Sequence, residues 1–591
     1  MFVLKPACFF LILVSFAVGQ GSEPLTYLWP LPAQFTSGDG ALSVDPALTL
    51  SVAGNGGSSA ILRAAFDRYR RIVFSHAGYG FAFIRKLREQ LPLLSVAQYD
   101  VVSLNVTVHS DDEELQLGVD ESYTLVVPKS GESSQVTIEA NTVYGSLRGL
   151  ETFSQLCSFD YTTKTVKIYK APWSIQDKPR FAFRGLMLDT SRHYYPINVI
   201  KQIIEAMSYA KLNVLHWHII DEESFPLEVP TYPKLWKGSY TKWERYTVED
   251  AYEIVNQKAE KGINVMPEVD VPGHAESWGA GYPDLWPSPS CREPLDVSKA
   301  YTFDVISGIL TDMRKIFPFE LFHLGGDEVH TGTTDTSYCW TSTPHVKEWL
   351  QNQNMTAKDA YQYFVLKAQE IAVSKNWTPV NWEETFNTFA SKLHPETIVH
   401  NWWGPGVCPK VVAKGFRCIF SNQGVWYLDH LDVPWDVVYT AEPLEGIHTA
   451  SEQELVIGGE VCMWGETADT SNVQQTIWPR AAAAAGRACL ADAKLFNILA
   501  TSLVHWIKGE KQAGLAQLLH GSRFPEPPRI HNTERLWSQR DSTTPQNVTL
   551  TALPRLQNFR CLLNKRGVPA APVTNFYARR APVGPGSCYD Q

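Results

Sequence analysis

Residues 183–189 read FRGLMLD, a short apolar run closed by an acid, and it is the first of eight runs of this kind. The others are NVLHWHII (213–220), INVMPEVD (263–270), LFHLGGDE (321–328), TPVNWEE (378–384), TIVHNWW (397–403), RCIFSN (417–422) and VIGGEVCMWGE (456–466). Most are followed by a stretch of helical character. Eight apolar runs that mostly alternate with helices predict an α/β chain whose strands close into a (β/α)8 TIM barrel. Polar and aromatic residues gather where the runs end: Asp189, His218 and Asp221, Asp270, Asp327 and Glu328, Trp382 and Glu383, Trp402, and Trp464 and Glu466. The C-terminal rim of the strands is where such barrels build their active sites. One acid at a strand end is an ordinary polar cap; the whole set on one rim is hard to read that way.

Upstream the rhythm differs. Val101–Val108, Tyr123–Val127 and Gln135–Glu139 read as strands, and the last two flank PKSGES, whose composition suits a hairpin. Thr142–Leu156 reads as a helix. These features predict a smaller α+β domain over 20–180, without a catalytic constellation of its own. A catalytic barrel over 181–565 and a C-terminal tail over 566–591 follow. A length of 591 residues suits two domains, and 44% hydrophobic residues suffice for large cores. A net charge of −10 with no basic run argues against nucleic-acid binding.

The first nineteen residues carry Lys5, an apolar run from Ala7 to Val18, and small residues at Ala17 and Gly19. That is a signal-peptide pattern, and the run is too short for a membrane span. Sequons at Asn105, Asn354, Asn376 and Asn547 and ten cysteines fit the secretory pathway, with the vacuole or lysosome or the extracellular space as destination.

The sharpest chemistry lies in HLGGDE, His323 to Glu328. Two glycines let backbone approach a ligand, and two adjacent carboxylates follow. Neighbouring strand residues face opposite ways, so Asp327 and Glu328 are poorly placed to straddle one glycosidic bond as an acid and nucleophile pair. One can protonate a leaving oxygen while the other acts on a neighbouring group of the substrate.

Long strings around these residues resemble family 20 glycoside hydrolases of the lysosomal β-N-acetylhexosaminidase type. They include RGLETFSQL (148–156), RGLMLDTSRHYYP (184–196), KLNVLHWHIID (211–221), EVDVPGHAESWG (268–279), HLGGDEV (323–329), IGGEVCMWGE (457–466), WPRAAAAA (478–485) and ERLWS (534–538). The resemblance implies retaining hydrolysis of terminal GlcNAc or GalNAc. The substrate's acetamido oxygen attacks the anomeric carbon to give an oxazolinium ion, an exception to the two-carboxylate scheme. It makes Glu328 the general acid and base, with a pKa raised by burial or a neighbouring charge. Asp327 stays ionised and binds the acetamido N–H, while Tyr427 holds its carbonyl. Trp382, Trp402 and Trp464 wall the sugar. Arg192, Asp429 and Glu466 bind hydroxyls, and Asp221 and His274 orient the acid. His216, His218, Asp270 and His274 resemble a metal-ligand set, but the family uses no metal, so neither metal nor cofactor is expected. A homodimer is open. The resemblance pairs Cys291 with Cys339 and Cys561 with Cys588; Cys408 and Cys418 are a local pair, and Cys462 is a buried free thiol. Leu428-Asp429-His430 follows the neutral-sugar pattern at Asp429 and departs from it at His430, which implies preference for neutral terminal sugars.

One feature breaks the family pattern. WPRAAAAA and ERLWS belong to one helix, yet Gly486–Thr533 lies between them. A surface loop and a retained intron or gene-model error are both open. The second is favoured because the cut falls inside a helix, which then cannot bury its apolar face in one piece. The competing functions are a catalytically impaired glycan-binding protein, because of the insertion, and a metal-dependent barrel hydrolase.

Overall fold

A computed structural model of the chain describes residues 26–75, 99–329, 339–485, 536–537 and 552–573. The signal-peptide segment and the insertion lie outside the described residues.

Six strands form the first sheet: β1 (Gln34–Ala53), β2 (Val101–Val108), β3 (Tyr123–Val127), β4 (Gln135–Ala140), β5 (Cys157–Asp160) and β6 (Thr165–Asp177). Their order is β1-β2-β4-β3-β6-β5, with β1 returning to pair with β6. β3 and β4 are antiparallel, as a hairpin requires. Their alternating burial sends one face to a core under the helix Val143–Leu156.

Eight parallel strands then close a barrel in the order β10-β11-β12-β13-β14-β7-β8-β9. They are β7 (Phe183–Asp189), β8 (Val214–Ile220), β9 (Asn264–Val269), β10 (Leu321–His323), β11 (Thr378–Trp382), β12 (Ile398–Asn401), β13 (Arg417–Phe420) and β14 (Val456–Met463). Each matches one of the eight runs. They are buried on both faces, so they read as continuous apolar runs rather than alternating ones.

The interior is layered. Phe183, Val214, Met266, Leu321, Val380, Ile398 and Ile419, near the strand starts, form an apolar floor. Above it lies a polar layer of His216, Glu268, His323, His400 and Glu460, all fully buried. Met187, Trp382, Tyr427 and Cys462 form the next layer, with Trp402 and Trp464 packed on them.

Buried ion pairs weld the sheet to the bottom of the barrel. Glu121, from the loop before β3, accepts from Arg148 Nε at 2.6 Å and from Arg184 Nη2 at 2.6 Å. Lys211 Nζ donates to Asp177 Oδ2 and to Tyr123 Oη, each at 2.9 Å. Removing one member of such a cluster leaves charge uncompensated in a dry environment. Glu121→Ala should therefore lower unfolding free energy by about 3–5 kcal/mol. Denaturant titration checks this; a loss under about 1 kcal/mol would mean water solvates the two arginines.

The chain is tightly joined across the insertion. Ala481–Ala485 are wholly buried, and so are Leu536 and Trp537. Leu536 N donates to Ala484 O at 3.4 Å, Phe181 N to Leu536 O at 3.0 Å, and Arg180 N to Trp537 O at 2.7 Å. Trp537 Nε1 donates to Asp177, with Lys211 over its ring. The residues described on both sides of the cut are packed, as separate pieces rather than as one helix: the helix Arg480–Ala485 on one side, and Leu536 and Trp537, held by hydrogen bonds from Phe181 and Arg180, on the other.

Disulfides join Cys291 to Cys339 and Cys408 to Cys418. Cys561 is disulfide-bonded, while Cys588 lies outside the described residues. Cys462 is a buried free thiol, as expected.

Candidate active site

The carboxylates sit on a turn rather than a strand. β10 ends at His323, and Gly325 (φ +59°), Gly326 (φ +96°) and Glu328 (φ +49°) all have positive φ. The alternation argument for Asp327 and Glu328 is thus replaced by a left-handed turn that turns the two side chains differently. A Cβ on Gly325 would stand 1.8 Å from Asp270 Oδ1, so the close approach excludes any side chain. Gly326 N donates to that same oxygen at 2.8 Å.

The turn sets up a coupled acid pair. Burial and the charge of Asp327 push Asp270 well above the usual carboxylate range. Burial also raises Asp327, while His274 and the Asp270 hydrogen bond pull it down. The shared proton therefore belongs on Asp270, and Asp327 is the ionised partner. Its Oδ1 is buried and accepts no hydrogen bond.

His274, also at positive φ, stands among three carboxylates. Its Nδ1 is 3.1 Å from Asp221 Oδ1; its Nε2 is 3.5 Å from Glu328 Oε2 and 3.7 Å from Asp327 Oδ2. Burial works against its charge, but Asp327, Asp221 and Glu328 outweigh it, and its pKa lies well above the ordinary histidine value. Asp221 accepts from His218 Nε2 at 2.7 Å and pairs with Arg192 Nη2 at 2.9 Å. Against its burial, His218 and His274 hold it well below the usual carboxylate range.

The expected burial of Glu328 is not found: 58% of its side chain is exposed among the described residues.

Aromatic rings make the opposite wall. Ring centroids of Trp382 and Trp464 lie 6.1 Å apart, Tyr427 and Trp464 6.0 Å, and Trp402 and Tyr427 6.4 Å. Trp382 is buried, stacks on His400 at 4.2 Å, and donates Nε1 to Glu268 at 2.9 Å. Arg192 lies over Trp464, with its guanidinium 5.1 Å from the ring centroid. Tyr427 is placed by Leu428 N, which donates to Cys462 O on β14 at 2.7 Å. Asp429 Oδ1 is buried and accepts no hydrogen bond; burial raises this acid to about 6, with His430 opposing. Glu466 is exposed, and its charge is felt by Arg192 and Asp429. The structure thus gathers every expected site residue at one mouth of the barrel.

Three groups were not picked out from the sequence. Glu384 accepts from Trp402 Nε1 at 2.8 Å and is raised to about 8 by burial and by Asp327. Its signal was its place at a strand end, beside Glu383. Glu268 accepts from His218 Nδ1 at 2.5 Å and meets His216 and His323 at 3.1 and 2.8 Å. Despite burial, Glu460 and Glu268 raise His216 to about 9, whereas burial takes His323 down to about 4. Arg480 braces the loop of Asp429 by donating to the carbonyls of Leu428 and His430. The His216, Glu268 and His323 set and the Asp270, His274 and Asp327 set are close enough to hold a cation. Ion pairs link members of each set: His216 and His323 with Glu268, and His274 with Asp327.

The family described as "Glycosyl hydrolase family 20, catalytic domain" matches residues 181–489, and "beta-acetyl hexosaminidase like" matches 28–156. "Beta-hexosaminidase 1" of Arabidopsis thaliana is 65% identical over 580 residues, spanning 98% of this chain and 96% of the relative. "Beta-hexosaminidase subunit beta" of Homo sapiens is 35% identical over 492 residues, spanning 80% and 84%. The X-ray structure of Flavobacterium johnsoniae chitobiase superposes with a TM-score of 0.71 at 26% identity, covering 92% of this chain and 73% of that one. With a carboxylate turn facing an aromatic wall on a closed barrel, and these matches along its length, the chain belongs to glycosyl hydrolase family 20.

Proposed function

We infer that this chain is a retaining β-N-acetylhexosaminidase that removes terminal non-reducing GlcNAc or GalNAc by substrate-assisted catalysis through an oxazolinium intermediate. The observation that carries this reading is the buried Asp327 beside a box of Trp382, Trp402, Tyr427 and Trp464. A box of that kind suits an acetamido methyl, and a buried carboxylate suits the adjacent N–H as positive charge develops. Tyr427 places the carbonyl for attack. Glu328 donates a proton to the leaving oxygen and then removes one from water. His274 and Asp221 position Glu328, while Arg192, Asp429 and Glu466 bind hydroxyls. No observation favours the impaired, glycan-binding alternative, since both carboxylates are present and both sides of the cut are packed. Proton NMR of the first product from a chitobiose digest tests the pathway: the β anomer is expected, and the α anomer would exclude the intermediate.

Asp429 favours neutral sugars. Its charge is lost as pH falls through about 6. Its protonation eases repulsion of an anionic sugar. The kcat/KM ratio of a neutral aryl N-acetylglucosaminide over its 6-sulfated analogue should rise about threefold to tenfold from about pH 5 to about pH 7. A flat ratio would remove Asp429 from specificity.

No helix among the described residues is long and apolar enough to cross a membrane. The leader-like first residues support entry to the secretory pathway. Asn354 and Asn376, exposed on left-handed turns, are sequon sites that glycosylation could reach. Vacuolar and extracellular destinations are separated by fractionation. A homodimer rests on the resemblance alone, and light scattering at one chain mass would exclude it.

A further inference from the structure

The aromatic wall does not stop at the pocket. Tyr427, Trp402 and Trp403 stack in a row with nearly parallel planes, 15° apart in the first pair and 11° in the second. Burial falls along the row: Tyr427 is buried, Trp402 is half-buried, and Trp403 is 62% exposed. The row begins beside the carboxylate pair, because Trp402 Nε1 donates to Glu384, which feels the charge of Asp327.

An exposed indole on a free loop would be unremarkable, but this one stands on a fixed backbone. Buried Glu383 accepts from Asn401 Nδ2 at 2.7 Å, from Trp402 N at 3.2 Å, and from the backbone N–H of Trp403. Gln423 clamps the other side: its Nε2 donates to Trp403 O at 3.1 Å and its backbone N–H to Trp402 O at 2.7 Å. A large apolar face is thus held ready in water, with the entropy of ordering its backbone already lost on folding. A β-linked pyranose carries an apolar patch of C–H groups on each ring face, and such patches bury well against indole.

We propose that Trp403 is the platform for the sugar on the leaving side of the scissile bond, so that this chain is built to act on β-linked hexopyranose chains rather than on single N-acetylhexosamines bearing small aglycones. The inference rests on Trp402 being a wall of the sugar pocket. The occupant is a sugar, because the row continues the wall that holds the first one.

The test uses the full chain with two substrates, N,N′-diacetylchitobiose and methyl N-acetyl-β-glucosaminide, whose aglycone is one methyl group. The quantity read is the ratio of their kcat/KM values. Trp403→Ala should lower that ratio about tenfold, and Trp403→Phe should restore most of it. An unchanged ratio in Trp403→Ala overturns the proposal, as does an unchanged ratio with a shift in oligomeric mass, which would make the face a contact between copies. Trp402→Ala should depress both substrates. If it depresses neither, the pocket reading has failed, a result distinct from an unchanged ratio in the Trp403 variants.

Discussion

Glu328→Gln is expected to lower kcat on N,N′-diacetylchitobiose by about 10²–10⁴-fold, the range that a positioned general acid supplies. The carboxyl stands beside a charged His274 on a turn that two glycines allow, and an amide keeps its shape while losing its proton. Leaving groups separate this role from a structural one. A sugar alkoxide needs a proton as it departs, whereas a dinitrophenolate does not. The loss should therefore be much smaller in the first step with a dinitrophenyl glycoside, read as a burst of phenolate. Equal losses on both substrates would mean that Glu328 does not act as an acid.

Asp327→Asn should cost about 10²–10³-fold in kcat, the effect of deleting one electrostatic contact at a developing charge. Asp270→Asn, one hydrogen bond away, should cost less than about tenfold. The difference follows from where the proton resides. Asp270 is pushed well above the usual carboxylate range and is a neutral donor at working pH, so an amide replaces it nearly in kind. Asp327 must carry charge, and an amide removes it. Steady-state rates of the two variants, with thermal unfolding as a check on folding, decide the matter. Comparable losses would place the charge on the pair as a whole.

The barrel was legible because each of its strands is buried on both sides and so appears as a run, and because acids and tryptophans cluster where the runs stop. The long strings around HLGGDE, not its spacing, implied roles for Tyr427 and Asp429, which come from a segment after β13 rather than from a strand end. What was illegible is instructive. The turn at Gly325 and Gly326 defeated the alternation rule, since adjacent residues in left-handed backbone do not obey a strand's period. The exposure of Glu328 could not be inferred, because burial of a loop side chain depends on distant chain. Glu268 and Glu384 were read as strand residues among others; only the closure of the barrel brings them against His218 and Trp402. Of the adjacent indoles, Trp402 packs on the pocket layer and Trp403 stands 62% exposed.

A hydrogen bond from Leu536 N to Ala484 O joins the two sides of the insertion. A chain that leaves after Ala485 and is back at Leu536 has its two sides held by packing, with Trp537 and the helix Leu553–Lys565 buried against what precedes them. Burying Leu536 and Trp537 contributes about 1.5–3 kcal/mol each. These two residues serve different bodies of the protein: Leu536 packs in the core around the barrel, and Trp537 in the core of the first sheet.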